Sequence, residues 1–398
     1  MVKRETDVLV IGAGPVGLFA ALSLVERGLE VQIVDKDWRG ATHSYALALH
    51  PQSLRMLDDY GAVDALLERG YKVERLAVYR GDERVGELDF TALGGPFPFL
   101  LVAPQSALEH SLEQRLKDRK VKVAWNHQAL SVQQNGEGVA AKIGRMEKYS
   151  TGYPVAHTEW MVAREYTTKA SFAIGADGYH SFVRKGLASD FEHVGSAECF
   201  SVYEFPSPIE FGSEARVVFH KDSTNVVWPL SEERGRWSFQ VQEDAPAAPT
   251  LEALHELIRT RAPWFSSRVG ELSWHTNALF ERRLARDFGS EHIWLAGDAA
   301  HITGPVGGQS MNVGLLEAHD LAERFSAIHK GAARTETLAG YAEQRRAEWS
   351  QLLGLAGGPQ ATGAAPEWAR ELAPRLLPCI PASGEDLRKL LEQIGLTI

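Results

Sequence analysis

Three features of the sequence predict an α/β fold with an inserted antiparallel sheet. The chain opens with an apolar strand, a glycine-rich turn and a helix that leads into a second strand. Two later apolar strands, at 171–174 and 293–296, each end in a glycine-bearing loop with an acid. Residues 191–241, between them, carry longer strands joined by polar turns. Strands that alternate with helices indicate a parallel sheet, and hairpin-linked strands indicate an antiparallel one.

Length, charge and cysteine content limit the class of protein. The 398 residues suffice for two or three packed units, and 52 acidic against 42 basic residues disfavour nucleic acid or an anionic membrane as a partner. Cys199 and Cys379 form neither a disulfide framework nor a metal site, so we expect a cytoplasmic protein without a metal. The uncharged run at 8–25 is broken by glycines and a proline, which favours a strand and a helix over a signal peptide.

The N-terminal unit has the spacing of a dinucleotide-binding motif. Its first glycine permits a turn, its second lets a pyrophosphate approach the backbone, and its third lets helix and strand pack closely. A second strand at 30–34 ends in Asp35, where an acid reaches a ribose hydroxyl, and Lys36 follows. The motif itself is Gly12, Ala13, Gly14, Pro15, Val16 and Gly17. The motif predicts that the chain binds a dinucleotide, but it does not distinguish FAD from NAD.

The next part of the chain adds a hairpin, a helix and a second strand tip. Residues 73–79 and 84–90 form the predicted hairpin, and an amphipathic helix is predicted over 105–116. Gln105, at the entrance of this helix, either reaches a ligand or caps the helix. Strands are predicted at 121–125 and from Leu130 to residue 133, and the strand at 171–174 leads into Asp177.

The stretch from 295 to 314 is the most informative of the chain. Here a strand ends and a helix begins. The free N–H groups and the positive dipole end of the helix suit a phosphate or an electron-rich ring edge. Asp298 can accept hydrogen bonds from ligand hydroxyls, and a purely structural loop is the alternative. The candidate contacts here are Gly297, Asp298, Pro305, Gly308, Gln309, Ser310, Met311 and Asn312.

Taken together, the segments at 12–17 with Asp35, at 177–178 and at 297–314 resemble the class A FAD-dependent aromatic hydroxylases, the family of para-hydroxybenzoate hydroxylase. The resemblance implies a Rossmann-type FAD-binding domain with an inserted antiparallel β-sheet substrate domain and a helical C-terminus. The implied FAD-binding parts are 1–72, 105–190 and 281–353. The substrate domain consists of the hairpin at 73–104 and the inserted sheet at 191–280, and 354–398 is the helical tail.

The resemblance also implies roles for particular residues. The glycine motif holds the FAD pyrophosphate, Asp35 the adenosine ribose, Asp298 the ribityl chain, and backbone groups around Met311 and Asn312 face the flavin. Gln105, Lys36, Leu130 and Asp177 complete the expected cofactor site. Three positions depart from the family pattern: Asp35 where Glu is usual, Tyr45 where an Arg near the pyrophosphate is common, and Ser310 where a Gly is usual. The first two weaken the expected hold on FAD, and Ser310 is expected to cost backbone freedom.

The activity that the resemblance implies is hydroxylation of a small aromatic or heteroaromatic ring. NADH or NADPH binds transiently and reduces the FAD, and O2 then forms a flavin hydroperoxide that transfers oxygen. A base that deprotonates a phenol raises ring reactivity. The candidates by position are His50, Tyr203 and His220, each of which can instead be structural. His50 is expected to have an ordinary pKa near 6.5, well matched to this task.

Other functions remain open at this point. A flavin-dependent halogenase shares the fold, but it needs a Trp-x-Trp-x-Ile-Pro type element that the sequence lacks. A catalytically inactive FAD-binding protein and a membrane-associated quinone-pathway hydroxylase are further alternatives. We expect no stable membrane association, and a homodimer is compatible with the sequence.

Overall fold

Helices and strands are distributed over two main sheets in the computed structural model, which describes residues 4–38, 48–152, 157–207, 211–242, 249–265 and 269–398. The helices of these residues are α1 (Pro15–Glu26), α2 (Pro51–Asp59), α3 (Asp64–Leu67), α4 (Gln105–Asp118), α5 (Phe182–Gly186), α6 (Leu251–Arg261), α7 (Gln309–His329), α8 (Leu338–Leu352), α9 (Glu367–Leu376) and α10 (Gly384–Gln393). Short 3-10 turns lie at Phe90–Leu93, Gly297–Ala299, Thr335–Thr337 and Leu377–Cys379. Within the described ranges, no helix has both the length and the apolar character needed to cross a membrane.

The strands follow in chain order. They are β1 (Glu5–Ile11), β2 (Val31–Val34), β3 (Ala48–Leu49), β4 (Tyr71–Val73), β5 (Arg75–Arg80), β6 (Glu83–Asp89), β7 (Leu100–Val102), β8 (His127–Gln134), β9 (Val139–Thr151), β10 (His157–Gly175), β11 (Phe191–His193), β12 (Glu198–Pro206), β13 (Glu214–His220), β14 (Ser223–Ser231), β15 (Arg234–Val241), β16 (Trp274–Phe280), β17 (Arg283–Ala285), β18 (Gly289–Ser290), β19 (Ile293–Leu295), β20 (His301–Ile302), β21 (Gln360–Ala361) and β22 (Leu396–Thr397).

Four parallel strands form the centre of the first sheet, in the order β19-β10-β1-β2. Their carboxyl ends are level, because Ile11 pairs with both Val34 and Gly175, and Gly175 pairs with Leu295. The loops that follow these strands therefore meet at one edge, where open α/β sheets bind ligands. The predicted α/β fold with an inserted sheet is confirmed.

Strand β10 is longer than the sequence pattern indicated. Its first part pairs with β9 as an antiparallel ribbon, and its last residues enter the parallel sheet beside β1. The strand predicted at 121–125 is wrong. Only Ala124 makes a bridge there, a parallel one to Val34 at the end of β2, and one isolated bridge is too short to form a strand.

The inserted sheet has the order β16-β12-β15-β14-β13-β5-β6. The hairpin β5–β6 joins it through parallel pairing of β5 with β13. Side chains alternate across the sheet, so Phe200 and Val202 of β12 belong to the main core, whereas Tyr203 and Phe205 pack in a second core with α6. One face of this sheet thus packs in the same core as the first sheet, and the other is covered by α6.

Glycines allow α1 to pack closely against the sheet edge. Gly12 has φ +107°, and a Cβ there would lie 2.1 Å from the Ala176 carbonyl oxygen. A Cβ at Gly17 would lie 2.0 Å from the Gly12 carbonyl oxygen. At Gly14, by contrast, φ is −71° and a Cβ would meet nothing within 4 Å. Packing therefore requires Gly12 and Gly17, and the space above Gly14 is left for a ligand.

This difference gives a prediction about two substitutions. Gly17→Ala should lower the free energy of unfolding by about 1–3 kcal/mol or more, because the added carbon forces α1 away from the Gly12 carbonyl. Gly14→Ala should change stability by less than about 0.5 kcal/mol. It should nevertheless lower the FAD content, because its methyl group fills the space above Gly14 that is left for the ligand. Urea unfolding of the apoproteins and the flavin-to-protein absorbance ratio measure the two effects. A stable Gly14→Ala variant with full FAD content would contradict the assignment of the space above Gly14 to FAD.

Candidate functional site

Asp35 closes the glycine loop at the carboxyl end of β2. Its Oδ2 accepts a hydrogen bond from the Ala13 N–H at 2.6 Å, and its Oδ1 accepts one from the Asp37 N–H at 2.8 Å. Burial raises the pKa of Asp35, although both backbone donors act in the opposite direction. Each carboxylate oxygen has two acceptor positions, so a ribose hydroxyl can still bind here. Lys36 is exposed beside it.

Gln105 lies at the start of α4, near Asp35. Its Nε2 donates to Glu109 Oε1 at 2.7 Å. Burial raises the pKa of Glu109, and the negative charge of Asp35 adds to this increase. Glu109, which the sequence analysis did not single out, thus lies close to Gln105 and Asp35 at the carboxyl edge of the parallel sheet.

The two acids at the later strand tips differ in their hydrogen bonds. The carboxylate of Asp177 accepts the Ser181 hydroxyl at 2.5 Å and the Phe182 N–H at 2.6 Å, so it anchors the start of α5. Asp298 is solvent-accessible, and no donor among the described residues reaches its carboxylate. Desolvation by the protein groups around it raises the pKa of Asp298. Asp298 is therefore available to a ligand hydroxyl, whereas Asp177 is already engaged.

A buried carboxylate supports the loop that carries Asp298. Glu317, fully buried on α7, accepts the Gly297 N–H and lies 2.8 Å from His301 Nε2 through the same oxygen. Its other oxygen accepts the Trp349 indole N–H at 2.8 Å. The sequence analysis missed Glu317. The available signal was an acid four residues from Val313 and from Leu321, on the apolar face of the helix.

The start of α7 faces the same edge of the sheet. Gly308 precedes it with φ +59°, a left-handed conformation that favours glycine. The backbone cost expected for Ser310 is not found, because this residue lies within the helix and its hydroxyl accepts the Thr303 N–H at 3.1 Å. Pro305 and Met311 are half-buried nearby.

The side chains of Gln309 and Asn312 are buried and donate to carbonyl groups of the protein, while Gln309 Oε1 has no partner among the described residues. Gln309 Nε2 donates to the carbonyls of Leu377 and Ile380 at 3.4 and 3.3 Å. Asn312 Oδ1 accepts the His50 N–H and the Ser53 hydroxyl, and its Nδ2 donates to the carbonyls of Ala48 and Gly308. Contacts from this helix start to a cofactor are therefore left to backbone groups.

His50 is a buried residue of the same network, and its expected ordinary pKa is wrong. Burial lowers the pKa of His50 to about 4. Its Nε2 donates to the Gly307 carbonyl at 3.0 Å, and the side chain is 1% exposed. A carbonyl only accepts hydrogen bonds, so Nε2 carries the proton and the ring is neutral at pH 7. This geometry fits a role in holding the loop before α7 better than proton transfer with a substrate.

The two other base candidates lie on the face of the inserted sheet that α6 covers. Tyr203 is 1% exposed in the second core, and burial raises its pKa. His220 follows Val218 by two residues on β13 and so shares its face, where burial and Arg261 of α6 lower the pKa of His220. The structure does not bring either one together with His50 or Asp298.

Two predicted cofactor residues remain. Leu130 lies at a β-bulge of β8, and its side chain packs on Gly144 of β9. Tyr45 lies outside the described residues.

A cavity of about 310 Å³ lies between the inserted sheet, the loop after Asp298 and the C-terminal segment. Its apolar wall includes Phe200 and Val306, and Glu198 and Arg282 are among the charged residues that line it. The remaining lining residues are Asp222, Thr224, Gln240, Thr303, Gly304, Pro374, Arg375, Pro378 and Cys379. The sequence analysis did not predict Glu198 or Arg282, since neither belongs to a motif.

The contrast between the two strand-tip acids gives a prediction. Asp298→Ala should lose most of the bound FAD without unfolding, because it removes an acceptor with no structural partner. Asp177→Ala should retain more FAD but lower stability by about 0.5–2 kcal/mol, since it removes the acceptor of the Ser181 hydroxyl and of the Phe182 N–H at the start of α5. Flavin absorbance ratios and urea unfolding separate these effects. Equal flavin retention in both variants would contradict the assignment.

The pKa of His50 gives a second prediction. The unfolded chain binds a proton near pH 6.5, whereas folded His50 binds it only near pH 4. Stability contributed by the neutral ring is therefore lost as the pH falls from 6.5 to 4, by up to roughly 3 kcal/mol. His50→Gln should flatten the pH dependence of urea unfolding in this window, and His275→Gln, at an exposed position of β16, should not. The same slope in all three proteins would refute the buried neutral state.

Comparisons with known proteins agree with this arrangement. Residues 5–355 match the family described as FAD binding domain. The chain is 31% identical over 359 residues to the uncharacterized aromatic compound monooxygenase YhjG of Bacillus subtilis (strain 168), across 89% of this chain and 67% of that protein. It is 29% identical over 360 residues to the 6-methylpretetramide 4-monooxygenase of Streptomyces rimosus, across 87% of this chain but only 60% of that protein.

A solved structure has the same fold over almost the whole chain. The crystal structure of p-nitrophenol 4-monooxygenase PnpA from Pseudomonas putida DLL-E4 superposes with a TM-score of 0.75 at 21% identity, covering 99% of this chain and 95% of that one. The predicted resemblance to the FAD-dependent aromatic hydroxylases is confirmed, and so is FAD as the cofactor. The chain therefore belongs to the FAD binding domain family, which includes FAD-dependent aromatic monooxygenases.

Proposed function

We propose that the protein is an FAD-dependent monooxygenase that hydroxylates a small aromatic or heteroaromatic substrate with NADH or NADPH and O2. The observation that carries this proposal is the cavity of about 310 Å³ beside the loop at 303–306. This volume is at the lower end of the range for small-molecule sites. Phe200 gives the cavity an aromatic wall, and Glu198 and Arg282 add polar groups that can orient a ring.

The edge of the parallel sheet fits FAD. The open space above Gly14 suits the pyrophosphate, and Asp35 is held where it can accept a ribose hydroxyl. Asp298 has a free carboxylate for the ribityl hydroxyls. The backbone N–H groups at the start of α7 suit the electron-rich edge of the flavin ring.

The protein's own residues bind and orient the reactants. When bound, FAD supplies the transfer of electrons from NAD(P)H and the activation of O2. Phe200 and Val306 hold the substrate ring and exclude water from it. Glu317 fixes the loop that carries Asp298 through the Gly297 N–H, so the cofactor side of the cavity is preorganised.

The relatives support an aromatic substrate. The Bacillus relative is named an aromatic compound monooxygenase, and PnpA acts on p-nitrophenol according to its name. A homodimer and a cytoplasmic location remain predictions from the sequence.

Anaerobic stopped-flow absorbance tests the proposal. Phenols, benzoates and heteroaromatics are mixed with the FAD-loaded protein and NAD(P)H, with the matched cyclohexanols and cyclohexane carboxylates as controls. At least one aromatic compound should accelerate flavin reduction, and its saturated partner should not. The same compound should yield a hydroxylated product in air. Flavin reduction that no aromatic compound changes, with no product in air, would leave a non-enzymatic FAD-binding protein as the better account. A halogenated product in the presence of chloride would favour a halogenase.

A further inference from the structure

One carboxylate of the cavity, that of Glu198, lies beside the loop at 303–306. Glu198 begins β12, and its Oε2 would lie 2.8 Å from a Cβ built at Gly304, so the carboxylate lies directly on the loop after Asp298. Among the described residues, no hydrogen bond or ion pair reaches this carboxylate. Burial raises the pKa of Glu198, and the charge of Arg282 opposes the increase. A half-buried acid without a partner, beside a cavity, is available to a ligand.

Arg282 lines the same cavity with a guanidinium that is fixed by the protein. Its Nη2 donates to the Leu353 carbonyl at 2.9 Å, which fixes the guanidinium. Its Nε is buried and has no hydrogen-bond partner within the described part of the chain. The second guanidinium of the cavity, that of Arg375, differs, because its Nη1 and Nη2 donate to the carbonyls of Lys221 and Ser223. Arg282 therefore brings a positive charge to the cavity that the protein holds in place.

We propose, on the basis of the function proposed above, that the Glu198 carboxylate accepts the proton of a hydroxyl group on the substrate ring, and that Arg282 stabilises the resulting phenolate. The O–H bond of the substrate breaks, the proton moves to a carboxylate oxygen of Glu198, and the electron pair stays on the phenolic oxygen. No electrons are exchanged with a further reactant in this step.

The position of the two residues supports this step over the earlier candidates. His50 donates its Nε2 proton to Gly307, and Tyr203 lies in the core on the far face of the sheet. Glu198 lies on the near face, with Phe200 of the same strand in the cavity wall. A raised carboxyl pKa also makes the base stronger, and the positive charge of Arg282 makes the phenol a stronger acid.

The first test compares ligand binding without a reductant. Phenol and anisole, and 4-nitrophenol and 4-nitroanisole, are titrated into the FAD-loaded protein, and the change in flavin absorbance reports binding. The phenol of each pair should bind about tenfold or more tightly than its methyl ether, since a hydrogen bond to a charged group is worth about 1.5–3 kcal/mol. Glu198→Gln and Arg282→Gln should each lose this preference. Glu233→Gln, at an exposed turn of the same sheet, is the matched control and should keep it.

The second test is the pH profile of phenol hydroxylation. The wild-type rate should rise with pH as Glu198 ionises. Glu198→Gln should lower the rate about 10²- to 10⁴-fold and lose this rise, and Glu198→Asp should restore part of both. Equal binding of phenols and ethers, or a Glu198→Gln variant with the wild-type preference and profile, would overturn the inference. If the wild type prefers phenols through Glu198 but hydroxylates none of them, the proposed function fails while the assignment of Glu198 to the phenol stands.

Discussion

The site depends on backbone segments that touch without side chains between them. Gly12 lies against the Ala176 carbonyl, Gly17 against Gly12, and Gly314 of α7 against Gly297. These contacts draw two helix N-termini to the level carboxyl ends of β1, β10 and β19. A methyl group at any of these contacts would overlap a backbone atom. Glycine at these positions therefore sets the distance between the helices and the sheet. The space above Gly14 that FAD can occupy results from this distance.

Glu317 stabilises the loop that this packing brings into place. Its carboxylate is fully buried, and the N–H groups of Gly297 and Trp349 together with His301 Nε2 surround it. A buried charge is tolerated only when such donors are present, so the carboxylate and the loop geometry require each other. The network lies beneath Asp298 and leaves that residue free. The inserted sheet then closes the other side of the cavity with Phe200 and Glu198.

The sequence predicted the fold and the cofactor because those signals are local. Glycine spacing, strand tips and helix starts lie within short segments, and the parallel sheet brings them to one edge. The proposed base, Glu198, could not be predicted in this way. The alternation of side chains along β12 shows that neighbouring residues point to opposite faces of the sheet, but it does not show which face meets the first sheet, so Tyr203 was among the candidates and Glu198 was not. The burial of His50 and the pairing of Arg282 arise from residues far away in the chain, such as Gly307 and Leu353.

The most direct measurement of the central claim is the incorporation of ¹⁸O from ¹⁸O2 into an aromatic product. The FAD-loaded protein is supplied with NAD(P)H and a phenol that it binds, and mass spectrometry follows the product. We expect one ¹⁸O atom per product molecule from ¹⁸O2 and none from H2¹⁸O. Oxygen derived from water, or consumption of NAD(P)H with peroxide as the only product for every bound phenol, would contradict the account of this protein as an aromatic monooxygenase.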